Sequence, residues 1–248
     1  MLFVGIDLAA EARRTGVAVV REDGALSLEQ VDVGGSDDDL VAAIEAADRT
    51  GVDVPLGWPA PFVDLVSAHA AGTLSAPAST ESGWRRNLAM RTTDREVHRR
   101  TGITPLSIST DRIAYPALRW AGLEARLRDR GFDVTRDGSG MVFEVYPAAA
   151  LRCWSLTHRG YKGAKNAAGR SALVAELVKM TPWLDWNGYR ELCARDDDAL
   201  DAVIAALVTR EAFLGSCEPP SDENREVARQ EGWIWLPSGR RPTPPTMR

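Results

Sequence analysis

Four places in the chain put a carboxylate where a strand end or a buried helix would present it. Asp7 closes an apolar run that begins at Leu2, Asp53 lies within Gly51 to Leu56, and Glu144 lies within Met141 to Val145. Asp197, Asp198 and Asp201 open the long apolar segment that ends near Phe213. Carboxylates gathered together repel one another unless a cation neutralises them. Hard oxygen donors suit magnesium or manganese. Two such ions about 4 Å apart activate a water and stabilise the leaving oxygen of a phosphodiester. Asp7, Asp53, Asp198 and Asp201 are therefore candidate metal ligands, and Glu144 joins them as a candidate catalytic residue.

Each acid also has a plainer reading. Asp7 can cap a turn, Glu144 can be a structural hydrogen-bonding group, and Asp196 is read as the N-cap of the last helix, where acids are favoured. Asp53 inside an apolar strand is different, because an unpaired charge there is costly. Asp201 is the sole charge in the run Ala199 to Val208. A helix apolar nearly all round is buried, so Asp201 needs a metal or a cationic partner. At a helical rotation of about 100° per residue, Asp198 and Asp201 share a face.

The elements that must position these acids follow from periodicity and turn signals. Leu2 to Leu8, Val17 to Arg21 and Ala25 to Val33 read as three strands, the last two joined by the turn signal Glu22-Asp23-Gly24,. Ser36 to Asp39 is an N-cap cluster ahead of a helix to Asp48, and Gly51 to Leu56 is a fourth strand,. From Ala60 to about Ser109 the pattern breaks into small residues, Gly, Pro and arginines, which reads as an insertion or a long functional loop. A helix from Asp111 to near Gly131, a fifth strand from Met141, a helical turn from Pro147, and helices from Ser171 and Asp197 complete the order. The tail from Pro237 reads as loose. The expectation is an α/β protein with one mixed five-stranded sheet, order β-β-β-α-β-α-β-α, and helices on both faces. One domain over residues 1–215 carries an insertion at about 60–110, and residues 216–248 form a C-terminal extension.

Composition narrows the chemistry. The chain has 248 residues, 44% hydrophobic and 26% charged, which suffices for a full core,. Three scattered cysteines and three scattered histidines form no CxxC or His/Cys spacing, so oxygen ligands are left as the basis for any metal site,. That cysteine usage also points to a reducing cytoplasm. No apolar run approaches the roughly 20 residues of a membrane span, and the N-terminus reads as a strand rather than a signal peptide. A net charge of −5 argues against a broadly basic coat for nucleic acid,. One local exception is the stretch with Arg85, Arg86, Arg91, Arg95 and Arg99, flanked by Trp84. Arginines so placed can neutralise phosphates while the indole stacks a base, and an ordinary solvated helix face is the alternative. Trp183, Trp186, Trp233 and Trp235 read as packing residues.

Gly5-Ile6-Asp7-Leu8-Ala9 followed by Thr15-Gly16-Val17-Ala18 resembles the first hairpin of ribonuclease H-like nucleases such as the Holliday-junction resolvases. Asp198-Ala199-Leu200-Asp201-Ala202 is similar to their closing helix. Val52-Asp53-Val54-Pro55-Leu56-Gly57, Phe143-Glu144-Val145-Tyr146-Pro147 and Thr110-Asp111-Arg112-Ile113 resemble, more specifically, the DUF429 family. The resemblance covers Leu2 to about Leu214. It implies a ribonuclease H-like nuclease that uses magnesium or manganese on nucleic acid. The resolvases usually carry Glu in the fourth strand where this chain has the shorter Asp53. Two other classes stay open. An ATPase or small-molecule kinase of the actin-like superfold would want a Gly-Gly-Thr phosphate loop where this chain reads Leu8-Ala9-Ala10-Glu11. A non-catalytic nucleic-acid-binding protein would carry a degenerate acidic site.

Overall fold

The computed structural model of the protein describes residues 1–239 and 241–245. Leu2–Asp7 (β1), Gly16–Glu22 (β2) and Leu26–Val33 (β3) form the expected antiparallel meander. Gly24, at φ 97°, supplies the left-handed backbone for the turn between β2 and β3,. Ser36 caps Asp37–Ala46 (α1) through a reciprocal box: its hydroxyl accepts from the Asp39 backbone, and the Asp39 carboxylate accepts from the Ser36 backbone,. Arg49–Asp53 (β4) then runs parallel to β1, in register from Phe3 opposite Arg49 to Asp7 opposite Asp53. Val142–Glu144 (β5) lies parallel on the far side of β4. The mixed α/β sheet is as expected, but it has six strands, in the order β5-β4-β1-β2-β3-β6. The sixth, Leu184–Asp185 (β6), pairs only with Leu26 and Ser27, and two residues are too few to show any period,.

Strand residues alternate between faces, and two cores result. Phe3, Ala18 and Val20 pack against Ala167–Met180 (α7), Arg190–Arg195 (α8) and Asp197–Phe213 (α9). Val4, Ile6, Val17 and Val52 pack against α1 and Ala114–Asp129 (α5). Every residue of α9 from Asp198 to Ala212 is buried. Each fully buried Leu, Val or Ile on it contributes about 1.5–3 kcal/mol. Glycine lets α9 come this close: a Cβ on Gly5 would lie 2.1 Å from the Ala202 carbonyl oxygen, and one on Gly16 would lie 2.1 Å from that of Asp198.

The stretch expected to be an irregular insertion is helical instead, as Ala60–Ala70 (α2), Ser82–Ala89 (α3) and Thr92–Thr101 (α4). Neither α2 nor α3 buries a residue, and each is short and set between Gly- and Pro-containing segments that break the pattern in the sequence,. Pro147–Cys153 (α6) starts with Pro at its first turn, and Arg225–Glu231 (α10) follows α9. In the tail read as loose from Pro237, Ser238 and Thr243 are held in place, while residues 240 and 246–248 lie outside the described residues. Trp235 donates its backbone N–H to the Glu144 carbonyl (2.9 Å), and Thr243 accepts from the buried Arg210 (2.6 Å). Trp186 and Trp233 are buried, and Trp183 and Trp235 pack against the core, as expected. Among the described residues no helix is long and apolar enough to cross a membrane.

Candidate metal centre

Strand parity builds the site. Gly5 and Asp7 share one face of β1, and Gly51 and Asp53 share the same face of β4. This is the face on which α9 lies, because α9 backbone meets both glycines,. The parallel register sets Asp7 directly beside Asp53 at the strand ends. Asp201, one turn into α9, completes the group: ligand oxygens of Asp7, Asp53 and Asp201 lie within 4.8 Å of one another. Asp201 is fully buried, whereas Asp7 and Asp53 keep some access from the cleft.

A loop after α6, which sequence reasoning passed over, supplies the counter-charge. Lys162 forms an ion pair with Asp201 Oδ2, and the Tyr161 hydroxyl donates to Asp201 Oδ1 at 2.9 Å. The cationic partner that Asp201 needs is thus a lysine. Arg170, buried on α7, fastens the loop. Its guanidinium donates to the carbonyls of Tyr161 (2.8 Å) and Gly163 (3.2 Å) on one side, and of Ala194 (3.1 Å) and Arg195 (2.6 Å) on the other. Asp197 accepts from the Gly163 backbone (3.1 Å), so it anchors the same loop. Arg119 pins the opposite wall by donating to Ala9 O and Thr15 Oγ1.

Electrostatics in this cluster are strained. Burial, reinforced by repulsion from Asp201, holds the Asp7 carboxyl well above the usual carboxylate range. Burial likewise pushes Asp53 up to about 7, against the pull of Lys162. Asp201 is raised by burial, while Lys162 and Tyr161 offset part of that. Dehydration draws the Lys162 pKa down, but attraction to Asp201 and Asp7 outweighs it and holds the ammonium charged well above its usual range. Ionising all three carboxylates against one ammonium would leave two negative charges without compensation, which is why the cluster holds on to protons. Asp201 Oδ2, although ion-paired, accepts no well-formed hydrogen bond among the described residues. An all-oxygen cluster of three carboxylates facing a single ammonium fits a hard divalent cation,.

Not every acid singled out from the sequence joins the cluster. Asp198 turns outward and is held by Arg14, with Nε at 2.6 Å and Nη2 at 3.0 Å. Asp196 is the N-cap of α9, accepting from Asp198 N (2.9 Å) and Ala199 N (3.1 Å). Glu144 is opposite Val52 in the register, so it faces away from α9 and from the triad. It accepts from Arg91 Nη1 (2.8 Å), Arg91 Nη2 (2.6 Å) and the Leu56 backbone (3.0 Å). Burial raises its pKa even so.

The arginines divide in the same way. Arg91 is buried, shared between Glu144 and Asp94, and cannot meet a phosphate. Arg85 and Arg86 are exposed on α3, and Arg95 and Arg99 on α4. Arg99 is paired with Glu96, and Arg95 donates to Met90 O and Thr92 Oγ1.

A cavity of about 410 Å³ opens beside the triad, and the three segments quoted for the resemblance converge on it through Asp53, Pro55, Ile113, Glu144 and Tyr146. The family model described as "Protein of unknown function (DUF429)" matches residues 5–225. The chain belongs to the DUF429 family. Comparison with curated proteins and with solved structures gives no match. In this DUF429 protein, Gly57 of the Asp-Val-Pro-Leu-Gly segment has a direct structural role, since a Cβ there would lie 2.4 Å from the Gln230 carbonyl oxygen of α10.

Proposed function

We propose that this DUF429 protein is a divalent-metal-dependent nuclease of ribonuclease H-like architecture, hydrolysing phosphodiester bonds in nucleic acid. The observation that carries this reading is the oxygen-only triad of Asp7, Asp53 and Asp201 at adjoining ends of two parallel strands. Support for the architecture comes from a central β1 flanked by antiparallel β2 and parallel β4, with α9 laid across the carboxylate-bearing face. The three acids would hold magnesium or manganese, which when bound supplies Lewis acidity toward the phosphate and lowers the pKa of water.

The chain's own groups do the rest. Asp201 is fixed by the Tyr161 hydroxyl, so its carboxylate plane is set before any ion arrives,. Lys162, half-exposed at the mouth, is placed to neutralise a phosphate oxygen once its ion pair with Asp201 loosens,. Among the described residues no serine, threonine or cysteine lines the cavity beside the triad. Cleavage of a labelled oligonucleotide is expected in magnesium or manganese and is lost in EDTA and in Asp7→Asn. Cleavage that persists in EDTA or in that variant would overturn the proposal. Turnover of ATP without nucleic acid would favour the actin-like reading instead.

A further inference from the structure

The cavity beside the triad has two chemically distinct parts. Asp53, Lys162 and the mutually paired Arg91 and Glu144 are its charged lining, and Val54, Pro55, Pro105 and Leu106 form an apolar flank. Tyr146 adds an aromatic ring to the lining. His158 and Arg159 stand at the rim, and among the described residues neither side chain has a carboxylate or other hydrogen-bonding partner. This is unlike Arg99 and Arg14, whose charges are already committed. A volume of about 410 Å³ falls in the range of sites that enclose one small ligand, roughly 300–1,000 Å³,. One nucleotide unit suits a site of that size better than a base pair with its two backbones.

We propose that this cavity takes a single unstacked nucleotide unit, its base against the apolar flank and Tyr146 and its phosphate on Arg159 and His158. The protein's substrates are then single strands or frayed ends rather than continuous duplex. The apolar flank lacks amide and carboxylate groups that would read a base edge, so the seat tolerates different bases, as stacking platforms do. An unpaired cation at the rim is the complement of a phosphate. The flank and rim together therefore match the two halves of a nucleotide. The inference rests on the nuclease reading but concerns binding alone.

The test is equilibrium binding in EDTA, by fluorescence anisotropy, of a labelled oligothymidylate and of a blunt hairpin duplex, with thymidine 5′-monophosphate as competitor. The single strand is expected to bind at least about tenfold more tightly than the duplex, and the mononucleotide to displace it. Arg159→Ala is expected to weaken strand and mononucleotide alike by about tenfold, the value of one charge-assisted contact. Leu106→Glu, at a position 59% exposed, should do the same without moving the melting temperature. Duplex bound as tightly as strand, no binding of either, or normal binding by both variants would overturn the assignment. Binding of the mononucleotide without the strand would overturn it too, by making a free nucleotide the ligand. Cleavage of duplex in magnesium would spare the nuclease reading and defeat the cavity assignment. Selective strand binding without metal-dependent cleavage would do the reverse.

Discussion

Arg91→Met removes the one cation in a buried network and keeps most of the side-chain volume. In the native protein the guanidinium, 1% exposed, donates twice to Glu144, twice to Asp94, and once to the Glu231 carbonyl. After the substitution Glu144 keeps only the Leu56 N–H, and Asp94 keeps only the backbone N–H of residue 91. Two buried carboxylates then lack a counter-charge. Removing one partner of a buried ion pair costs about 3–5 kcal/mol. For a chain of this size, 1 kcal/mol moves the melting temperature by about 2–4 °C, so a drop of roughly 6–20 °C is expected. Thermal melts followed by circular dichroism, with urea denaturation at neutral pH, read it directly. Adding Glu144→Gln and Asp94→Asn should restore part of the loss, because the residual charges disappear with their partner. A melting temperature within about 3 °C of the native value, accompanied by weakened nucleic-acid binding, would refute the reasoning and return Arg91 to the phosphate-binding face.

Lys162→Met leaves the buried Asp201 with the Tyr161 hydroxyl alone, which should lower metal-free stability by about 1–3 kcal/mol,. Calorimetry should then show magnesium raising the melting temperature more in this variant than in the native protein, and an equal rise would contradict the assigned role. Asp53, with its folded-state pKa pushed up to about 7, binds more protons folded than unfolded from about pH 4 to 7,. Its contribution to stability is therefore lost as pH rises through that window. The metal-free protein should melt lower at pH 8 than at pH 5, with Asp53→Asn narrowing the difference and magnesium offsetting it. A melting temperature flat or rising over that interval would count against the buried carboxyl. Gly5→Ala would set a Cβ 2.1 Å from the Ala202 carbonyl oxygen and force α9 off the sheet. A loss of about 1–3 kcal/mol and weaker metal binding are expected in urea melts and metal titrations.

Much of the scaffold was legible because strong local signals agreed with the fold. The apolar run to Asp7, the turn at Gly24, the Ser36 cap and the continuously apolar α9 all appear where periodicity and capping place them. Asp7, Asp53 and Asp201 followed from those elements. Glu144 did not, because β5 is buried on both faces and Val142, Phe143 and Val145 show no alternation. Only the register with Val52 reveals which way its carboxylate faces. Lys162 and Tyr161 lie in a loop whose position depends on Arg170 gripping carbonyls from two segments, a tertiary arrangement without local periodicity. Arg91 was hidden among exposed arginines, although its three-residue spacing to Asp94 carried a usable hint of an ion pair,. Residues 60–110 read as an insertion or a long loop because small residues, Gly, Pro and arginines separate three short helices there.

The central claim is that Asp7, Asp53 and Asp201 together hold a divalent cation. Anomalous diffraction at the manganese edge, from a crystal soaked in manganese chloride, tests it most directly. The expected result is a peak bonded to oxygens of all three carboxylates, with the Lys162 ammonium displaced from Asp201. A soaked crystal with no peak at the triad and the Lys162–Asp201 pair intact, or with manganese bound only elsewhere, would contradict it.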